Sequence, residues 1–393
     1  MKVALLILAA LSACSAQNST KLGDAVNCLG LRLLPLMPRS EATPNVFYSP
    51  YSLSTAMAMV YAGSRGSTQS ELHSILGYTS AGIAKDRVLE EYRDFAINLL
   101  ALSHQMLSTM NAAAYSHSLP LRRSYAEALK HAFNARVHAV DFENNASAVI
   151  DDIDRWIYQN TRGYIKRLLD SPFPPSAKLV FFSIIHFKGV WETRFERSKT
   201  KKESFYNYGS SRVMVDMMHG RMIAYNGYST ELSSTILDLP FEGGEYSMAI
   251  ILPSHRTGIK KLRHLSLASL QDALKNLVPS VVNVHLPRFN FATRYFLRKE
   301  FAKLGVTRIF DPRKADLSGI TGNTCAKVDV DEVVHKAIIH VNESGTTEAA
   351  AAGMIIARPR TVPRVFRARH PFLFLIRKRH DNSILFIGEV NKL

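Results

Sequence analysis

The nine residues LVFFSIIHF, Leu179 to Phe187, restrict the fold of this chain more than any other segment. Side chains of a β-strand point alternately to the two faces of its sheet. Both alternating sets are mostly apolar here, which is typical of a central strand that is covered on both sides. The segment therefore predicts a sheet that other elements cover on both faces.

Further periodic segments indicate a mixed α+β protein. Apolar residues at helical spacing predict a helix within residues 22–33, and a second helix is predicted from Pro50, behind the cap Ser49, to Gly63. Five more apolar runs predict strands: VVNVHLPRF, YSMAIILP, HKAIIHVN, HPFLFLIR and SILFIGEV. No linker, composition shift or internal repeat divides the 393 residues, so one large domain is favoured over two.

The N-terminus has the composition of a secretory signal peptide. A lysine precedes an apolar run at residues 3–11, and small residues follow it. We exclude residues 1–16 from the fold and predict a secreted, extracellular domain over residues 17–393. Lipid anchoring at Cys14 is the alternative, and no other segment is long and apolar enough to cross a bilayer. Two N-glycosylation sequons favour the secretory route: Asn18 and Asn145.

Sequence motifs give no support for an enzyme. The chain contains no G-x-S-x-G, H-E-x-x-H, C-x-x-C, Walker or dinucleotide-binding pattern. Its 14 histidines are scattered without ligand spacing, so we predict neither catalytic residues nor a metal site. After signal removal only Cys28 and Cys325 remain, and the sequence leaves their pairing open.

The net charge of +16 indicates acidic partners. Lysine and arginine are spread along the chain, and no DNA- or RNA-binding module accompanies them. Extracellular polyanions such as glycosaminoglycans are therefore a better prediction than nucleic acid.

The segment NESGTTEAAAAGMIIARPRT, residues 342–361, suits either a loop or a strand. If the segment forms a strand with Glu348 pointing outward, every inward side chain is small or apolar. Residues 345–357 also contain no proline, so each can donate a backbone hydrogen bond to a neighbouring strand. A small-residue linker is the alternative. The prolines that follow keep the chain extended, and the bond after Arg360 suits a trypsin-like protease, whose specificity pocket carries an aspartate.

Six motifs resemble the serpins, a family of serine protease inhibitors, and occur in the family's order over nearly all of residues 20–393. They are NVFYSPYSLSTAMAMVYAGSRGSTQSEL, KLVFFSIIHFKGVWETRF, LPRF, KLGVTRIFDPRKADLSGI, VVHKAIIHVNESGTTEAAAA and HPFLFLIRKRHDNSILFIGEV. The resemblance, which extends to salivary arthropod (tick-like) serpins, implies a monomer with three β-sheets, about nine helices and an exposed reactive-centre loop at about 345–369.

The resemblance also implies a suicide mechanism. A serine protease cuts the loop and forms an acyl-enzyme, and the loop then inserts into the large sheet and traps the protease. The expected targets are trypsin-like enzymes of the thrombin, trypsin, factor Xa, kallikrein or plasmin type. A non-inhibitory serpin that acts as a carrier or binding protein is the alternative.

The hinge of the family reads Glu-x-Gly-Thr-Glu-Ala, whereas this chain reads ESGTTEA and is one residue longer. Counting from Glu348 places Arg360 at P1, Pro359 at P2 and Thr361 at P1′. Counting from Gly345 places proline at P1 and turns the glutamate inward, which would bury a charge. We prefer the first register. The hinge then comprises Glu343, Gly345, Thr346, Thr347, Glu348, Ala349, Ala350, Ala351 and Ala352.

Other roles follow from the resemblance alone. Trp191 matches the tryptophan of the breach, where insertion begins. The shutter beneath the opening strands maps to Ser49, Ser52, Ser183 and His335. Ser183 stands where the family usually has asparagine, so we expect looser control of sheet opening. A basic cluster resembles a heparin site of some serpins, so we expect no cofactor except heparin or another glycosaminoglycan as an accelerator. The cluster comprises Arg256, Lys260, Lys261 and Arg263.

Overall fold

The structure is a computed structural model that describes residues 20–101, 106–160, 163, 167–169, 171–322, 327–345 and 363–393. These residues form an α+β fold, as the sequence predicts. No helix among them combines the length and apolar character needed to cross a membrane.

The described residues contain ten α-helices, besides short 3-10 turns. They are α1 (Lys21–Leu33), α2 (Pro50–Gly63), α3 (Gly66–Ile75), α4 (Val88–Ala101), α5 (Arg123–Phe133), α6 (Ala146–Asn160), α7 (Ile259–Leu262), α8 (Leu267–Lys275), α9 (Arg298–Lys303) and α10 (Ser318–Thr321). The bounds of α2 match the predicted helix, which begins at the proline behind Ser49.

Fourteen strands lie in the same described ranges. They are β1 (Val46–Tyr48), β2 (Leu107–Ser116), β3 (Arg136–Val140), β4 (Leu179–Phe187), β5 (Lys201–Asn207), β6 (Ser211–Ser229), β7 (Ser234–Pro240), β8 (Tyr246–Pro253), β9 (Val278–Pro287), β10 (Phe289–Phe296), β11 (Glu332–Val341), β12 (Arg364–Arg367), β13 (Phe372–Lys378) and β14 (Ile384–Val390).

The described chain divides into two compact units, each assembled from separated segments. The first contains the described parts of residues 1–50, 187–293 and 338–393, and the second those of 51–186 and 294–337. The single domain over 17–393 stays a prediction from the sequence.

The first unit contains a nine-stranded sheet. Its order is β1-β14-β13-β8-β7-β6-β9-β12, and β5 also pairs with β6. The long strand β6 joins two groups of strands, because β5 pairs with its first residues and β7 with its last. Every residue of β8 and β14 is buried, which explains their uninterrupted apolar sequences.

The second unit contains most of a five-stranded sheet in the order β10-β11-β4-β2-β3. All nine residues of β4 are buried, as its two apolar faces predict. The neighbouring strands β2 and β3 run parallel, with Ala112 opposite Arg136. β4 lies beside β11.

Candidate functional site

The hinge begins where β11 ends. Asn342 and Gly345 exchange backbone hydrogen bonds of 2.8 and 3.1 Å, so the chain reverses direction within four residues. The amide of Ser344 adds a 2.9 Å hydrogen bond to the side-chain oxygen of Asn342. Residues 342–345 therefore form a tight turn.

Gly345 occupies a position that only glycine fits. Its φ angle is 126°, and an added Cβ would lie 2.3 Å from the carbonyl oxygen of Gly189 and 2.7 Å from the amide nitrogen of Trp191. Gly345 also forms antiparallel bridges to Asn342 and to Val190, which follows β4.

Trp191, the predicted breach residue, holds this turn. Its indole N–H donates to the carbonyl of Asn342 at 3.0 Å, and its backbone N–H donates to that of Ser344 at 2.9 Å. The ring is 2% exposed and stacks on Phe241 with centroids 4.7 Å apart. Trp191 therefore combines core packing with direct hydrogen bonds to the hinge.

Glu343 anchors the hinge through its side chain. Arg288 donates to the carboxylate from Nε at 2.7 Å and from a second guanidinium nitrogen, and the hydroxyl of Thr200 donates as well. Burial alone would raise the pKa of Glu343, but these donors outweigh it and hold the pKa below its ordinary value. The backbone carbonyl of Glu343 accepts from the amide of Phe195 at 2.9 Å.

Sequence reasoning missed the partners of Glu343. The sequence identifies Arg288 as part of the motif LPRF. It does not reveal that this arginine contacts a glutamate 55 positions away.

The remaining hinge and reactive-bond residues lie outside the described residues, and their assignments stay predictions. They are Thr346, Thr347, Glu348, Ala349, Ala350, Ala351, Ala352, Pro359, Arg360 and Thr361.

Three of the predicted shutter residues meet in the second unit. The hydroxyls of Ser52 and Ser183 are 2.6 Å apart, and Nδ1 of His335 lies 3.0 Å from the carbonyl of Ser183. Because a carbonyl only accepts, Nδ1 carries the proton. Burial lowers the pKa of His335 to about 4, so the imidazole is neutral at physiological pH.

Asn111 is a member of this cluster that the sequence did not reveal. Ser183 donates its hydroxyl to the amide oxygen of Asn111 at 2.7 Å, and the amide nitrogen donates to the carbonyl of Phe133 at 3.1 Å. An amide from the neighbouring strand β2 thus accompanies the serine. The fourth predicted member, Ser49, is fully buried just before α2.

The four basic residues predicted to bind heparin have different surroundings. Arg263 donates to the buried carboxylate of Glu389 at 2.6 and 3.0 Å, and Arg256 stacks over the ring of Tyr206 at 3.7 Å. The exposed Lys261 donates to the carbonyl of Glu231 at 3.0 Å, and Lys260 is exposed. Arg263 is therefore engaged with a buried carboxylate that also binds Arg39, and the two lysines are the better candidates for a polyanion.

The predicted modification sites are only partly described. Asn145 is exposed in the turn before α6, where a glycan has access, whereas residues 1–16 and Asn18 lie outside the described residues. Cys28 lies in α1 and is disulfide-bonded, and Cys325 lies outside the described residues.

Comparisons with known proteins agree with the sequence motifs. The profile of the family described as Serpin (serine protease inhibitor) matches residues 24–393. Iripin-3 from Ixodes ricinus, a tick, is 40% identical over 399 residues, which cover 100% of both proteins. Intracellular coagulation inhibitor 1 from Tachypleus tridentatus is 37% identical over 382 residues, or 96% of this chain and 90% of that protein.

Solved structures share the fold. Native protease nexin-1 with heparin has a TM-score of 0.83 at 26% identity, covering 95% of this chain and 99% of that one. Human thyroxine-binding globulin complexed with its hormone has a TM-score of 0.84 at 25% identity, covering 95% and 98%.

Proposed function

Because the chain belongs to the serpin family of serine protease inhibitors, we propose that it is a secreted suicide-substrate inhibitor of trypsin-like serine proteases. The target cleaves Arg360–Thr361, and insertion of the loop into the five-stranded sheet then traps it. The proposed enzymes are those of the thrombin, trypsin, factor Xa, kallikrein or plasmin type.

The geometry at Gly345 carries this proposal. Gly345 bridges both Asn342, just past β11, and Val190, just past β4. The first residue after the turn thus already has a β-partner on each side. Extending this pairing would place the following residues antiparallel to β11, as a new strand between β4 and β11.

The chemistry divides into a covalent step and a physical step. The serine of the protease attacks the carbonyl carbon of Arg360, the peptide bond to Thr361 breaks, and the new amine leaves with a proton from the protease histidine. The arginine remains as an ester on the serine. Insertion adds ladder hydrogen bonds and buries alternate side chains, which must be small and uncharged because a buried unpaired charge costs several kcal/mol.

A denaturing gel tests the proposal. The secreted chain is incubated with trypsin and with thrombin, and we expect a covalent adduct that survives boiling, together with a released peptide that begins at Thr361. Arg360→Ala should abolish the adduct, whereas the matched control Arg358→Ala should keep it, because Pro359 protects the bond after Arg358. Clipping without an adduct, with full protease activity remaining, would contradict the inhibitor proposal.

The alternative function, a carrier or binding protein, is supported by one comparison. Thyroxine-binding globulin has the same fold and is named for a bound hormone. Cleavage that leaves every tested protease free would favour this alternative for the present chain.

A further inference from the structure

Three potential metal ligands from separate strands meet in the nine-stranded sheet. His219 in β6 and His285 in β9 are direct register partners, so their side chains lie on the same face. The carboxylate oxygen Oε1 of Glu203, in β5, is 2.8 Å from Nε2 of His219 and 3.5 Å from Nδ1 of His285. Histidines that are scattered in the sequence are thus brought together by the register of the strands.

We infer that Glu203, His219 and His285 form a binding site for a divalent transition metal ion, with Zn²⁺ as the best fit. Two imidazole nitrogens and one carboxylate are a ligand set that zinc accepts, with a fourth position left for water. The hard cations Ca²⁺ and Mg²⁺ prefer oxygen ligands and fit less well. Together, the potential ligand atoms lie within 4.8 Å of one another.

The separations agree with tetrahedral zinc. Ligand atoms bound at about 2.0 to 2.1 Å and at the tetrahedral angle lie about 3.3 to 3.4 Å apart. The two measured distances from Glu203 Oε1, 2.8 and 3.5 Å, bracket that value. The third pair of ligand atoms, Nε2 of His219 and Nδ1 of His285, lies within 4.8 Å.

The ring nitrogens that face the carboxylate have unused bonding capacity. Within the described part of the chain, Nε2 of His219 and Nδ1 of His285 are buried and have no well-formed hydrogen bond. Both nitrogens face the carboxylate of Glu203, at 2.8 and 3.5 Å. Incomplete hydrogen bonding of buried atoms is costly, and a cation between them would satisfy both nitrogens.

One positive charge lies next to the proposed site. The positive charge of Arg367, opposite His285 in the ladder, acts against the cation itself and limits the affinity.

The site also lies beside the last residues of the predicted reactive-centre loop. The carbonyl of His285 accepts from the amide of Ala368 at 3.0 Å, and the amide of Tyr206 in β5 donates to the carbonyl of Arg369 at 2.9 Å. Zinc would cross-link β5, β6 and β9. Two of these strands, β9 and β5, hold Ala368 and Arg369 through the hydrogen bonds just described. We therefore expect zinc to raise the thermal stability of the chain.

Titration of the purified, tag-free full chain with ZnCl₂, after removal of metals with EDTA, tests the site. We expect saturable binding of one equivalent and a zinc-dependent rise in the melting temperature. His219→Ala, His285→Ala and Glu203→Gln should each weaken binding more than about tenfold. The exposed control His380→Ala should bind as the unchanged chain does.

A second measurement needs no variant. Co²⁺ added to the unchanged chain should give the intense visible absorption of a tetrahedral complex and should be displaced by zinc. Absence of saturable zinc binding, or an equal loss in His380→Ala, would overturn the inference. Both readouts are independent of protease trapping, so failure of the inhibitor proposal would leave this test intact.

Discussion

Arg288 binds the carboxylate of Glu343 through two guanidinium nitrogens, and this carboxylate is 3% exposed. Arg288 lies between β9 and β10, and its ion pair connects this point to the hinge within the first unit. The loop therefore begins from an electrostatic anchor as well as from a turn.

Removing the arginine should leave a buried carboxylate without its main partner. We expect Arg288→Ala to lower the free energy of unfolding by about 1 to 3 kcal/mol, since the guanidinium is partly exposed and water replaces some of the interaction. Urea unfolding measures the change. Arg123→Ala, which removes an exposed pair with Glu127 in α5, is the control and should change stability by less than about 0.5 kcal/mol. Equal stability of the two variants would show that Arg288 does not anchor the hinge.

The buried His335 should make the protein sensitive to mild acid. Its pKa is about 4 in the folded chain and near 6.5 when exposed. The unfolded state thus binds more protons between these values, and stability is lost as the pH falls from 6.5 toward 4, by about 1.4 kcal/mol per pH unit.

Replacing this histidine should remove that pH dependence. His335→Gln keeps a donor for the carbonyl of Ser183 but cannot take up the proton. We expect the slope of unfolding free energy against pH to decrease by about one proton between pH 6.5 and 4. The exposed His380→Ala is the control, and an unchanged slope in His335→Gln would show that the imidazole is not the titrating group.

Asn111 should control how easily the two central strands separate. In Asn111→Ala the hydroxyl of Ser183 loses its acceptor, which we expect to cost about 1 to 3 kcal/mol. Hydrogen exchange of the amides in β4 and β11 should become faster, whereas the exposed Asn276→Ala should leave it unchanged. If exchange is unaffected, Asn111 does not restrain the opening.

Heparin binding should depend on the lysines of the basic cluster. We expect Lys260→Ala combined with Lys261→Ala to lower the salt concentration that elutes the chain from a heparin column. Arg263→Ala should instead lower the melting temperature, because it leaves the buried Glu389 with one arginine partner fewer. Similar retention of the double variant and the unchanged chain would exclude this cluster as a heparin site.

Local patterns predicted the elements, and long-range contacts limited the prediction of the site. The apolar faces of β4 and the proline behind Ser49 are local signals, so the strand and α2 were predicted with correct bounds. By contrast, Asn111 meets Ser183 across 72 residues. His219 and His285 become neighbours only through the register of β6 and β9. The pairing register depends on the whole sheet, so it cannot be predicted from the sequence of either strand alone.

The register of the loop can be decided with two adjacent alanines. If Glu348 points outward, Ala349 points inward on insertion and Ala350 outward. Ala349→Arg should then bury a charge, slow insertion, and yield cleaved chain without an adduct. Ala350→Arg, one residue away and chemically identical, should still trap trypsin. Both variants should be cleaved after Arg360, so adduct yield on a denaturing gel isolates insertion from recognition. The opposite pattern would mean that Glu348 is the inward residue and that the count from Gly345 is correct.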